Sequence, residues 1–223
     1  MKSLKALILS LFILSLTALG VVGCIEPKTY EATPNEYFTF TELADGSYSV
    51  KAKDVTNLPE KLYIPEEYNG NSISQIDAKG FMSATIIELC LPSNVKVVGA
   101  NAFNDCKNLS RIYFNKGLVE IGVGAFYGCT ALEELNLPSS LVTIGERAFV
   151  SLAIRRLDLP EKVQTIGVSA FEYCTKLNSV YIGHNVREIG ENAFNGISES
   201  AEFEISASNA YYRLDENGKP VKQ

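Results

Sequence analysis

Apolar residues recur along this chain at one long, fixed period. Phenylalanine stands at 81, 103, 126, 149, 171 and 194, in steps of 22 or 23 residues. Ala102, Ala125, Ala148, Ala170 and Ala193 precede five of these rings. Gly99, Gly122, Gly145, Gly167 and Gly190 lie four residues ahead of the same five, behind Val98, Ile121, Ile144, Ile166 and Ile189. Stretches such as Leu135-Asn136-Leu137-Pro138 and Leu157-Asp158-Leu159-Pro160 alternate apolar and polar residues and stop at a proline, which predicts a short strand. Each unit therefore reads as one coil, made of a strand, a turn, a second apolar pair and a bend at the glycine. A unit of this length cannot bury its own apolar face and must stack on its neighbours, so stability is collective.

The period falls in the leucine-rich-repeat range. The units resemble the BspA-type leucine-rich repeat, whose pattern L-P-x-x-L-x-x-I-G-x-x-A-F-x-x-C-x-x-L-x-x-L is matched nearly position for position by residues 91 to 200. The likeness reaches back to Asp45–Phe81, which is similar to that family's usual opening segment with a longer loop through Asn69, Gly70 and Asn71. The unit after Phe149 is one residue short and has Leu152 in the cysteine column, and the last unit has Ile197 there. The expected fold is a repeat solenoid, a right-handed coil with a parallel β-sheet face, mostly β with short turns and 3-10 segments. Residues 37–64 form an N-terminal cap, 65–200 the repeats and 201–223 a C-terminal cap.

Ahead of the repeats the pattern changes. Lys2 and Lys5 precede an almost wholly apolar run, Ala6 to Leu19, and small residues lead on to Cys24, the layout of an export signal. Ser10, Ser15 and Thr17 interrupt the run, which falls short of the roughly 20 residues a bilayer span needs. Residues 1–23 are thus expected to be cleaved. Val21-Val22-Gly23-Cys24 resembles a bacterial lipobox, which implies diacylglycerol on the Cys24 sulfur and acylation of the new amino terminus. One acyl chain binds a membrane marginally and several bind stably, at about 0.8 kcal/mol per buried methylene. Residues 24–36, with Pro27 and Pro34, read as a tether. These features imply a lipoprotein at the bacterial cell surface, with the lipid its sole membrane contact.

The formal charge is −6, and −8 without Lys2 and Lys5, which argues against a nucleic-acid partner. Cys106, Cys129 and Cys174 share one column three residues after the phenylalanine and are expected in the core, acting as small hydrophobes. Their spacing lacks the short pairs of a zinc site. Neighbouring coils about 4.8 Å apart would let Cys106 and Cys129 approach disulfide geometry, whereas the family column implies a ladder of reduced thiols. Cys90 is expected to face outward. His184, the single histidine, sits in a turn and gathers no triad. No enzyme activity, metal or cofactor is expected.

In an L-x-L strand the leucines point inward and the residues between them outward. Two outward columns result: Tyr63, Cys90, Tyr113, Asn136, Asp158, Tyr181, Glu204, and Lys61, Glu88, Arg111, Glu134, Arg156, Ser179, Glu202. The second alternates in sign and reads first as a cross-strand charge ladder. It reads second as part of a binding surface of Tyr63, Arg111, Tyr113, Arg156 and Tyr181, residue types enriched at interface hot spots. The family resemblance implies an adhesin-like protein binding a host matrix or cell-surface protein. The alternatives are a glycan-binding surface lipoprotein, with the tyrosines stacked on sugar rings, and a structural envelope component.

Overall fold

The computed structural model of the protein describes residues 31–223. The expected leader, Cys24 and the first part of the tether lie outside that range. The described residues wind into a β-solenoid of about seven turns with nearly no helix. One sheet carries the short strands Val97–Val98, Glu120–Ile121, Thr143–Ile144, Thr165–Ile166 and Glu188–Ile189, all parallel. It continues through Asn71–Ile76 to the antiparallel pair Phe38–Glu42 and Tyr48–Ala52, which closes its N-terminal end. The opposite face holds two three-stranded parallel sheets, Lys61–Tyr63 with Glu88–Cys90 and Arg111–Tyr113, then Arg156–Asp158 with Ser179–Ile182 and Glu202–Ile205. The repeats turn without 3-10 segments; among the described residues these lie at Asn35–Tyr37 and Val55–Asn57.

The six phenylalanines form a column between the sheets. Successive ring centroids lie 5.1, 5.3, 5.6, 5.3 and 5.7 Å apart with planes within 18° of parallel. Phe81 to Phe171 are wholly buried, so each coil offers its neighbours the same flat apolar surface.

The glycine column works differently from the bends inferred above. None of Gly99, Gly122, Gly145, Gly167 and Gly190 has a positive φ. What they require is room: a Cβ on Gly145 would lie 2.6 Å from the carbonyl carbon of Gly122 and 2.7 Å from the Val123 nitrogen. The left-handed conformation sits two residues before and two after each phenylalanine, at Lys79, Asn101, Gly124, Arg147, Ser169, Asn192 and at Ser83, Asp105, Gly128, Ser151, Tyr173, Gly196. Nine of these twelve are not glycine, and each such residue costs roughly 1–2 kcal/mol. The offset is visible in the backbone. The amides of Asn101, Phe103 and Asp105 donate to the carbonyls of Val123, Ala125 and Tyr127 at 2.7–2.8 Å, and the set repeats from coil to coil.

Both ends are closed by side chains. Thr33 docks on the first face strand: its amide donates to the Tyr63 carbonyl (2.8 Å) and its hydroxyl accepts from the Tyr63 amide (3.0 Å). At the other end Glu202–Ile205 completes the face sheet and a hairpin of Tyr212–Leu214 with Pro220–Lys222 follows. The Tyr212 hydroxyl accepts from the Ile189 amide at the edge of the opposite sheet (2.8 Å). Buried Asn209 donates to the carbonyls of Gly183 and Val186.

Candidate functional site

The two outward columns hold their register where the face is paired. Lys61, Glu88 and Arg111 are aligned, as are Tyr63, Cys90 and Tyr113. Further along, Arg156 aligns with Ser179 and Glu202, and Asp158 with Tyr181 and Glu204. The five residues singled out from the sequence thus lie on one side of the solenoid in two groups.

The first group is a network. The Glu88 carboxylate is nearly buried on an otherwise exposed face, its side chain only 6% accessible. It accepts the Tyr63 hydroxyl at 2.5 Å and the Arg111 Nε–H at 2.8 Å. Burial pushes its carboxyl up; the Tyr63 hydrogen bond, then Arg111 and Lys61, outweigh that and hold it below its ordinary value. Arg111 itself is more than half exposed and is held protonated chiefly by its bond to Glu88. Cys90 stands beside this network, half-buried. Burial, then the charges of Glu66 and Glu88, push its thiol up, so it stays protonated and a poor nucleophile.

The charge ladder stops after Arg111. The coil at 133–137 forms no strand, and Glu134 and Asn136 are exposed without a ladder partner. A short connection does not explain the gap, because Phe81 and Phe149 are both followed by a seven-residue step to the next strand, and Glu88–Cys90 pairs on both sides. Just before the gap stands Phe114, in a column otherwise filled by Ile64, Leu91, Leu137, Leu159, Ile182 and Ile205; its larger ring packs edge-on against Phe126 (5.7 Å, 87°).

Beyond the gap Arg156 turns to Asp158 on its own strand, at 2.7 and 3.0 Å, and not to Glu134. Tyr181 donates to Glu161 (3.1 Å), which also pairs with the His184 ring; the ring's other nitrogen meets Asn185 at 2.8 Å. His184 is therefore tied into a turn, as its sequence position suggests. Glu161 was not singled out above, yet a signal exists. Glu66 and Glu161 both follow the proline that ends a strand, and each reaches the equivalent position one coil on, Ser93 and His184.

The buried cysteines are free thiols, and Cys106 and Cys129 are not bridged. Each donates to the carbonyl of the phenylalanine one coil back: Cys106 to Phe81 (3.2 Å), Cys129 to Phe103 (3.2 Å), Cys174 to Phe149 (3.1 Å). Among the described residues no group of three or more His, Cys, Asp or Glu could hold a metal ion.

The profile of the BspA-type leucine-rich repeat region matches residues 74–200 in six copies, more than half of the chain. The chain belongs to the BspA-type leucine-rich repeat family. Its repeats superpose on those of a leucine-rich repeat protein of T. pallidum with a TM-score of 0.73 at 25% identity, over 79% of this chain and 84% of that one. A Bacteroides ovatus leucine-rich repeat protein shares the fold (TM-score 0.56, 23% identity, 79% of this chain and 53% of that one). So does a protein of Faecalibacterium prausnitzii described as a leucine-rich cell surface protein (0.52, 19%, 87% and 61%). The chain thus spans little more than half of the latter two. No curated protein matches it by sequence. In this BspA-type protein the consensus accounts for the inward columns and leaves the face residues free.

Proposed function

We propose that this BspA-type protein is a binding scaffold at the bacterial surface, lipid-anchored through Cys24 and adhesin-like, whose sheet face takes a host matrix or cell-surface protein. The observation that carries the reading is the face that holds register on each side of the gap. Tyr63 and Tyr113 flank Cys90, Arg111 and Arg156 are exposed, and Tyr181 stands beside Asp158 in the second stretch, none of them dictated by the repeat. Tyrosine and arginine are enriched among the hot spots of protein interfaces, and a solenoid offers many such contacts in register. The F. prausnitzii neighbour's description as a cell surface protein supports the location.

A glycan is the second reading, favoured by Tyr63 and Tyr113 standing two strands apart. Asn136 and Asp158 separate Tyr113 from Tyr181 in the column, which favours a mixed protein surface over a continuous aromatic one. The test is a screen of residues 31–223, which keep the Thr33 dock, against immobilised matrix proteins and a glycan array, alongside the double variant Tyr113→Ala/Tyr181→Ala. The expected result is matrix binding that falls at least tenfold in the variant. Binding to glycans alone refutes the protein reading, and silence on both surfaces leaves a structural envelope role.

A further inference from the structure

The two halves of the face differ in charge, and this narrows the partner. Before the gap the columns carry Lys61 and Arg111 against one nearly buried carboxylate, Glu88, with Glu66 at the adjoining turn. Beyond it they carry Arg156 against Asp158, Glu202 and Glu204, all exposed, with Glu161 at the adjoining turn. The first half therefore balances two cations against two carboxylates, whereas the second sets one cation against four, so an anion meets less repulsion at the first.

Its cation is held in place. A carboxylate withdrawn from water on a solvent-facing sheet is costly unless it is fully paired. Glu88 is paired on both sides, one oxygen taking the Tyr63 hydroxyl and the other the Arg111 Nε–H. That bond engages Nε alone, and the structure gives the terminal amino groups of Arg111 no hydrogen bond to a described residue. A guanidinium fixed at Nε with its terminal amino groups available matches the two oxygens of a carboxylate. Arg156 offers no equivalent, since its counter-charge Asp158 is exposed beside it.

We infer that the Lys61–Glu88–Arg111 half of the face is a docking site for a carboxylate-bearing, acidic segment of a protein partner, with Arg111 as its reading cation and Glu88 as the residue that positions it. The inference rests on the face being a protein-binding surface and adds to it a charge and a direction: the acidic end of the partner lies toward the N-terminal coils.

The test is fluorescence polarisation of the full chain in detergent micelles with labelled peptides, one alternating Glu and Ser and one alternating Lys and Ser. The Glu peptide is expected to bind, more weakly as salt rises. Arg111→Gln should weaken it at least tenfold, Arg111→Lys by an intermediate factor, and Arg156→Gln by less than twofold. Glu88→Gln separates positioning from simple charge. Removing a negative charge near an anion site strengthens anion binding by Coulomb's law alone, whereas freeing Arg111 weakens it; a loss of threefold or more is expected. Tighter binding by Glu88→Gln, equal losses in the Arg111 and Arg156 variants, or binding of the Lys peptide alone each overturn the inference. If matrix binding is abolished by Tyr113→Ala/Tyr181→Ala while the Glu peptide stays silent, the charge assignment fails and the binding face stands. Silence in both assays removes both.

Discussion

Replacing Phe126 with alanine tests whether the ring column holds the coils together as a chain of nearest-neighbour contacts. Phe126 is wholly buried, stacked 5.3 Å from Phe103 and 5.6 Å from Phe149, with Phe114 edge-on at 5.7 Å. Burying a phenyl ring removes on the order of 150–200 Å² from water, about 4 kcal/mol at 25 cal/mol per Å². Large-to-small changes of this kind cost about 3–5 kcal/mol in other cores, the flanking coils being unable to close the void completely. The loss expected at Phe126 is therefore about 4 kcal/mol, a large share of the roughly 5–15 kcal/mol that holds a domain folded. Phe194 supplies the contrast. It is half-buried at the last coil, stacked on Phe171 alone at 5.7 Å with Phe203 edge-on, and its alanine variant should lose about 2 kcal/mol. Urea unfolding followed by circular dichroism gives both values; with a slope near 2 kcal/mol per molar, the midpoints should fall by about 2 M and 1 M. Equal losses at the two positions, or less than about 1 kcal/mol at Phe126, would refute the nearest-neighbour reasoning.

Three further outcomes follow from the coil contacts. Gly145→Ala places a Cβ against the backbone of Gly122 and Val123 and should cost about 2 kcal/mol or more by the same urea assay; a neutral result would show that the coils can separate freely there. Thiol alkylation read by mass spectrometry at pH 8 should leave Cys174 unmodified until the chain unfolds, because burial pushes its thiol up to about 12, and Cys90 should react more slowly than a free cysteine. Phe114→Leu should restore pairing across 133–137, seen as slower amide hydrogen exchange at Glu134 and Asn136; unchanged exchange would place the cause of the gap elsewhere.

The inward half of the fold was legible because burial repeats. Phe, Ile-Gly, Ala and Leu recur at one period, and a column that recurs names its own neighbours in space. Alternation fixes which side of a strand a residue takes, and the outward columns hold register in the two paired stretches, with Glu88 nearly buried and Cys90 half-buried among them and no strand at 133–137. Two things were not legible. Left-handed residues such as Lys79, Arg147 and Tyr173 carry no glycine or asparagine to betray them, because their strain is offset by amides reaching the next coil. The partition of the charges depended on how the face pairs: 133–137 forms no strand, and Arg156 pairs with Asp158 on its own strand.

The seven-residue steps after Phe81 and Phe149, the oversized ring at 114 and the leucine at 152 have a meaning as a set. A stack of identical coils has no unique ordering of its contacts, since any coil could settle against the wrong neighbour with little penalty. These departures label individual coils: a unit with a leucine or isoleucine in place of the thiol, as at Leu152 and Ile197, lacks the donor its neighbour's carbonyl would take, and a shorter arc sets its strand one residue nearer the phenylalanine than in the other coils. The imperfect repeats thus act as registration marks, giving the folding chain a single correct order of assembly.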